Sequence, residues 1–121
     1  MPTSLIDTVF AASPAVRYVA VYRRGVLESR QRAGLAGASA SESDKYEELI
    51  VNPTLLTLVK QRGDIDCGGM DHVLIRYGNF TEYVQPLADG HLSVGIEPDA
   101  DAERVATAIR KLPDVKGALP K

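Results

Sequence analysis

Within the nine residues Asp64-Ile65-Asp66-Cys67-Gly68-Gly69-Met70-Asp71-His72 lie three carboxylates, a thiol and an imidazole, the densest polar cluster in the chain. Carboxylate, thiolate and imidazole are the donors from which divalent-metal sites are built. The spacing is not that of a calcium loop, and neither a paired-cysteine motif nor a second histidine lies nearby. A connection rich in Asp and Gly between a helix and a strand explains the cluster without a metal. Cys67 as a nucleophile would need an adjacent base or a positive field to lower its thiol pKa. His72 is near it in sequence, but neighbours in an extended segment point to opposite faces. These residues give no catalytic residue, no metal site and no cofactor site.

Other reactive side chains carry weaker signals. His91 adjoins Asp89-Gly90 and reads as a solvated turn histidine. The stretch Gly34 to Ala38 lacks the Lys-Ser/Thr of a phosphate loop and reads as a hinge. No Gly-x-Ser-x-Gly elbow, His-Glu-x-x-His helix or obvious acid–base carboxylate pair is present. Tyr18, Tyr22, Tyr77, Phe80 and Tyr83 fall on expected strands, where sheet packing explains them at least as well as an aromatic binding surface. Arg23-Arg24, at an expected hairpin tip, are the residues best suited to reach a partner's phosphate or carboxylate through forked hydrogen bonds. A solvated turn is the competing reading.

The elements that would position these groups follow from pattern and punctuation. Thr3 or Ser4 can cap a first helix with Leu5, Ile6, Val9 and Phe10 on one face, and Pro14 stops it. Tyr18 to Tyr22 and Val26 to Ser29 are β-type runs around Arg23-Arg24-Gly25, a hairpin. From Arg32 to Ser43 nearly every residue is Gly, Ala or Ser, which predicts a flexible loop. Asp44 and Glu47 fit a capping box for the next helix. Asn52-Pro53 interrupts it; either the helix kinks there, or it ends and a second begins with Asn52 as cap. The second reading places a helix from about Pro53 to Arg62, nearly collinear with the first piece, its apolar register kept through 49, 50, 53, 56 and 59/60. Gly63 and Gly68-Gly69 mark its exit.

Three strands are expected at Val73 to Tyr77, Phe80 to Leu87 and Leu92 to Glu97, turning at Gly78-Asn79 and Asp89-Gly90. Pro86 removes a ladder donor, so imperfect pairing or a bulge is expected there. A last helix begins near Asp99 and Asp101, carries Val105, Ala108, Ile109 and Leu112, and stops at Pro113, with a loose tail over 113–121. The order is helix, two strands, helix, three strands, helix. That predicts an α/β domain of the α+β type, a five-stranded, mainly antiparallel sheet with helices on both faces.

Composition bounds the function. The 121 residues suit one domain, taken as 1–121, which needs no metal or disulfide to fold. A net charge of -2 argues against a general binder of nucleic acid or anionic membranes. Residues 1–41 carry five Arg against Asp7 and Glu28, and the remainder is acidic, so a small basic face for an acidic partner is one reading of the asymmetry. The single cysteine excludes an internal disulfide, and no apolar run approaches the ~20 residues that span a bilayer. No secretion signal is visible, so a soluble cytoplasmic protein is expected.

A short helix ending near Pro14, the hairpin RYVAVYRRGVLESR, an apolar middle helix and the run GGMDHVLIRYGNFTEYVQPLADGHLSVGIEPDADAERVATAIRKL together resemble the roadblock/dynein light chain superfamily, a profilin-like fold, over about residues 3 to 112. The chain departs from that pattern at Asn52-Pro53, in what is usually one continuous helix, and in the length of the loop before it. The resemblance implies a non-catalytic homodimer. Its middle helices pack together and its third strands pair edge to edge. Bacterial members modulate a small Ras-like GTPase, and eukaryotic ones act as adaptors. The family has no catalytic set to transfer.

The residues support part of this separately. Val73 to Tyr77 is apolar on both faces apart from Arg76, a strand that invites pairing if it lies at an edge. Leu55 and Leu58 diverge from the Leu56/Val59 face and leave an apolar stripe. A candidate dimer interface is therefore Leu55, Leu58, Val59, Val73, Ile75 and Tyr77; the competing reading makes the strand central and the stripe core. The function expected is a regulatory or scaffold module that binds a partner protein, a small GTPase among the candidates. The alternative is a sensor domain holding a small apolar or anionic ligand between sheet and helix.

Overall fold

Ser4 accepts a hydrogen bond from the Asp7 amide at 3.1 Å and so caps α1 (Leu5–Ala12), which turns Ile6 and Val9 inward. The computed structural model describes residues 4–35 and 41–120. β1 (Val16–Arg23) and β2 (Val26–Gln31) follow. They are joined by Arg24-Gly25, both at positive φ (54° and 81°), the geometry of a turn that matches strand twist. Residues 36–40 of the expected small-residue loop and hinge lie outside the described residues.

The middle of the chain is one helical run in three pieces: α2 (Ser41–Tyr46), a π turn over Glu47–Val51, and α3 (Asn52–Asp66). Asp44 sits inside α2 rather than at a cap and is bonded by Gln31 Nε2 at 3.0 Å. Asn52 is not a cap either. Its backbone is helical, its side chain is buried, and Pro53 stands at the start of α3 directly after the π turn. The wide π turn thus absorbs the proline that the pattern read as a break. α3 also outruns Gly63. A β-carbon there would lie 2.6 Å from the Gly69 carbonyl oxygen, so Gly63 lets the exit loop fold back onto the helix. The Cys67 and Gly69 amides both donate to the Gly63 oxygen at 3.0 Å.

The strands β3 (Val73–Arg76), β4 (Thr81–Leu87) and β5 (Gly90–Ile96) complete an antiparallel sheet in the order β2-β1-β5-β4-β3. Pro86 causes no bulge. The β4–β5 register is unbroken, and β3 begins opposite Val84, so no described strand neighbours Pro86 on that side. The irregularity lies instead in β1, between Val16 and Tyr18. The β4–β5 turn is Ala88-Asp89, and Gly90 already belongs to the strand. A β-carbon on Gly90 would come within 1.8 Å of the Tyr22 carbonyl oxygen, so close approach of β1 requires the glycine.

α4 (Ala102–Arg110), capped by Asp101, buries Val105, Ala106 and Ile109; Ala106 takes the inward place expected of the exposed Ala108. Pro113 begins a further short helix, α5 (Pro113–Lys116). The expected loose tail is corrected through residue 120: Val115 and Ala118 enter the core, and the Ala88 amide donates to the Ala118 carbonyl at 2.9 Å. The core fills one face of the sheet, where Val19, Tyr83, Leu87, Leu92, Val94 and Ile96 meet α1, α4 and α5. The other face lies toward the middle helix.

Candidate functional site

The outer surface of the middle helix is apolar and open. Tyr46, Leu49, Ile50, Leu58 and Ile65 are exposed, Leu58 by 59% and Ile65 by 75%. Leu55, Leu56 and Val59 are half-buried. The row turned inward is Glu48, Asn52 and, a few turns on, Gly63. The expected apolar register does not hold through the interruption. An extra residue in the π turn advances the helical phase by about 100°, and Leu49 and Ile50 are thereby left outside.

Among the described residues, β3 is an edge strand whose only neighbour is β4. Val73 and Ile75 pair with Val84 and Glu82, which places them on the face toward the middle helix, and Leu74 packs against the opposite core. Of the six candidate interface residues, Leu58 is exposed and Leu55, Val59, Val73, Ile75 and Tyr77 are half-buried. Leu49, Ile50 and Ile65 join that surface; their types were visible in the sequence, but the side they face depends on the π turn.

Beneath the helix lies a buried polar network that the sequence reading missed. Glu48, with no exposed surface, is 2.8 Å from His91 Nε2 through Oε1, which also accepts from Asn52 Nδ2 at 3.0 Å. Its Oε2 accepts from the Tyr18 hydroxyl at 3.1 Å. His91 is thus no solvated turn residue. It is buried, and its ring stacks on Tyr22 at 5.7 Å. Glu82, also buried, accepts from Ser93 Oγ. Glu47 accepts from the Tyr77 hydroxyl through both oxygens, at 3.1 and 3.2 Å. Burial and then the Glu48 charge push the Glu82 carboxyl well above the usual range, and burial raises the Glu47 carboxyl. Burial and then the Glu47 charge push the Tyr77 hydroxyl up to about 12.

A half-open cavity of about 290 Å³ adjoins the network, with Tyr18, Tyr77 and Phe80 as aromatic walls. Its polar lining includes Asp44, Glu47, Glu48 and Glu82, with Arg17 the only basic side chain among the described residues there. Arg17 is bonded to Glu97 Oε2 at 3.1 Å and lies over the Phe80 ring at 5.9 Å. Such a lining disfavours an anion.

The remaining sequence candidates are dispersed. Cys67 is exposed, its thiol bonded to Asp66, whereas the His72 ring meets Tyr83 edge-on and lies 3.3 Å from Arg110 Nη1. Among the described residues no three His, Cys, Asp or Glu side chains are grouped to hold a metal ion. Arg23 and Arg24 do not extend freely into solvent; their Nε atoms lie 2.8 and 3.1 Å from the two Asp89 oxygens. Arg30 pairs with Asp7 and Arg32 with Glu97, so acidic residues within the fold offset the basic N-terminal third. No helix among the described residues is long and apolar enough to cross a membrane.

No protein-family model matches the sequence. No curated protein matches it either. Solved structures match the fold. A roadblock/LC7 domain from Streptomyces avermitilis superposes with a TM-score of 0.63 at 15% identity, covering 94% of this chain and 96% of that one. The gliding protein MglB from Thermus thermophilus gives 0.61 at 12% identity, over 86% of this chain and 76% of that one. An MglB in a tetrameric arrangement gives 0.62 at 13% identity, over 92% and 84%. The chain has the roadblock/LC7 fold, a five-stranded antiparallel sheet with helices on both faces.

Proposed function

We propose that the chain is a non-enzymatic regulatory or scaffold module that self-associates through the middle helix and β3 and binds a partner protein, a small Ras-like GTPase being the partner class the fold implies. The observation that carries this reading is the exposed apolar row of the middle helix beside a strand edge with no described neighbour. Burying Leu49, Ile50, Leu58 and Ile65 is worth about 1–2 kcal/mol each. Association costs about 4–15 kcal/mol in lost freedom. The helix row alone is therefore marginal, and added β3–β3 hydrogen bonds would tip the balance toward a dimer. The likeness to an MglB in a tetrameric arrangement supports self-association.

Sedimentation of the purified chain at micromolar concentration tests the first step. A dimer is expected, and Leu58→Glu and Ile75→Glu should each weaken it at least about tenfold. A soluble monomer overturns the reading. For the second step, a GTPase recovered from the native cell should bind the purified chain directly and change its rate of nucleotide turnover. The ligand-sensor alternative gains no support: the cavity is open on one side, and its carboxylate wall suits neither an apolar nor an anionic ligand.

A further inference from the structure

We infer that the cavity between the middle helix and the sheet receives a guanidinium group on a short apolar stem, its N–H groups donating to Glu82 and Glu47 and its stem against the aromatic walls. The cavity measures about 290 Å³, at the small end of the ~300–1,000 Å³ of ligand sites, so it suits a group the size of a side chain. Four carboxyl groups line it: Asp44 from α2, Glu47 and Glu48 from the π turn, and Glu82 from β4. Arg17 is the one basic side chain of that lining among the described residues, and Glu97, which is not part of the lining, draws it at 3.1 Å. Glu82 is the residue that points to a ligand. It is only 2% exposed and yet lines the cavity. Ser93 Oγ donates to its Oε1, and no N–H or hydroxyl of the described residues donates to its Oε2. A buried carboxylate oxygen without a donor costs free energy that an incoming N–H recovers. Glu47 has acceptor capacity left as well, since a single Tyr77 hydroxyl hydrogen serves both of its oxygens.

The walls select the kind of cation. Tyr18, Tyr77 and Phe80 are aromatic, and the Tyr77 and Phe80 rings already pack at 5.3 Å, so that side is set before a ligand arrives. A guanidinium is planar, weakly hydrated and stacks on aromatic faces, so it gives up less on leaving water than a compact ammonium does. The protein makes the same pairing beside the cavity, where the Arg17 guanidinium lies over the Phe80 ring at 5.9 Å while bonded to Glu97. A metal ion fits less well, because no three His, Cys, Asp or Glu side chains among the described residues are grouped to hold one. Burial raises the Glu47 and Glu82 carboxyls, and a bound cation favours their ionised forms, so binding tightens as pH rises through the folded values. The other groups facing them are Asp44, Glu48 and Arg17, with His91 of β5 behind Glu48. The Tyr18 and Tyr77 hydroxyls stay protonated, since burial raises both.

The test titrates the full chain with butylguanidinium and with butylurea, its uncharged analogue of similar shape, and follows backbone amides by NMR. Saturable shifts are expected at Gly78, Asn79 and Gly95, which line the cavity, with a dissociation constant of about a millimolar or tighter for the cation. Butylurea should bind at least about tenfold more weakly. Glu82→Gln keeps an acceptor for Ser93 and Glu47→Gln keeps one for Tyr77, yet each removes a charge and should weaken binding about tenfold. Tyr77→Leu should weaken it about three- to tenfold by removing a ring face. If Glu82→Gln does not fold, Glu47→Gln at its half-buried position carries the test. Affinity should climb as pH rises above 4.5, and climb less in either Gln variant. Acetyl-arginine-methylamide separates the two sources of the group: binding as tight as butylguanidinium assigns the cavity to an arginine of a partner protein, and weaker binding assigns it to a small free guanidinium. Equal binding of butylurea, shifts confined to surface carboxylates away from the cavity, or affinity unchanged in both Gln variants would each overturn the site. Only the protein-arginine source rests on the partner reading above; a monomer in sedimentation ends the self-association reading and leaves the cavity result standing.

Discussion

Strand β5 faces two different interiors. Leu92, Val94 and Ile96 point into a core closed by α1, α4 and α5, where Val9, Ile109 and Val115 have no exposed surface. His91 and Ser93, which alternate with them, point toward the middle helix and join Glu48, Asn52 and Glu82. The first face is held by nondirectional burial, which tolerates small shifts and carries most of the stability. The second is held by directional bonds whose value depends on every member being satisfied and on protonation. One face thus secures the domain, while the other seats a helix whose apolar side is turned outward.

Neighbours on β5 give the sharpest way to separate the two. His91→Ala strands the buried Glu48 without its nearest partner and should cost about 3–5 kcal/mol in urea unfolding. Replacing His91 and Glu48 together by Leu should recover most of that loss, since an apolar pair of similar volume is close to neutral. If the double variant is as unstable as the single one, the polar face is not a self-contained network. Leu92→Ala should cost about 2–4 kcal/mol, with no comparable rescue and little pH dependence. Gly90→Ala comes next, at about 1–3 kcal/mol, because its methyl group must force the Tyr22 carbonyl away and part β1 from β5.

The two regions should also fail at opposite ends of the pH scale. Glu97, hydrogen-bonded by Arg32 and then Arg17, has its carboxyl held below the ordinary 4.5, so its contribution is present above that value and lost as pH falls through the folded one. The polar network behaves oppositely through Glu82. Thermal unfolding at low ionic strength should therefore show an acid limb weakened by Glu97→Gln and an alkaline limb flattened by Glu82→Gln. A single variant that alters both limbs would erase the distinction. Smallest is the effect of Leu58→Glu on the isolated subunit, within about 0.5 kcal/mol at an exposed position, although it should disrupt self-association.

Much of the apolar half was legible from the chain. Pro14, Arg24-Gly25, Gly78-Asn79 and Asp101 punctuate the elements through local backbone constraints that need no tertiary partner. The polar half was not. His91 beside a turn looks solvated because nothing near it in sequence says that Glu48, 43 positions away, will cover it. The helix register misled for a related reason: apolar residues at 49 and 50 read as inward, whereas the inward row is polar and the π turn shifts the phase between the two pieces. Periodicity identifies a face but not which side of it meets the sheet.

Local sequence determined the number, kind and order of nearly all the elements, the alternating faces of the strands and the lack of a familiar catalytic motif, because propensity, proline and glycine act within a few residues. Tertiary structure alone decided that β3 lies at an edge, that the tail docks through Val115 and Ala118, and that Glu48 and Glu82 are buried between the sheet and an outwardly apolar helix. Those outcomes depend on which distant surfaces exclude water together, a property no short stretch of chain possesses.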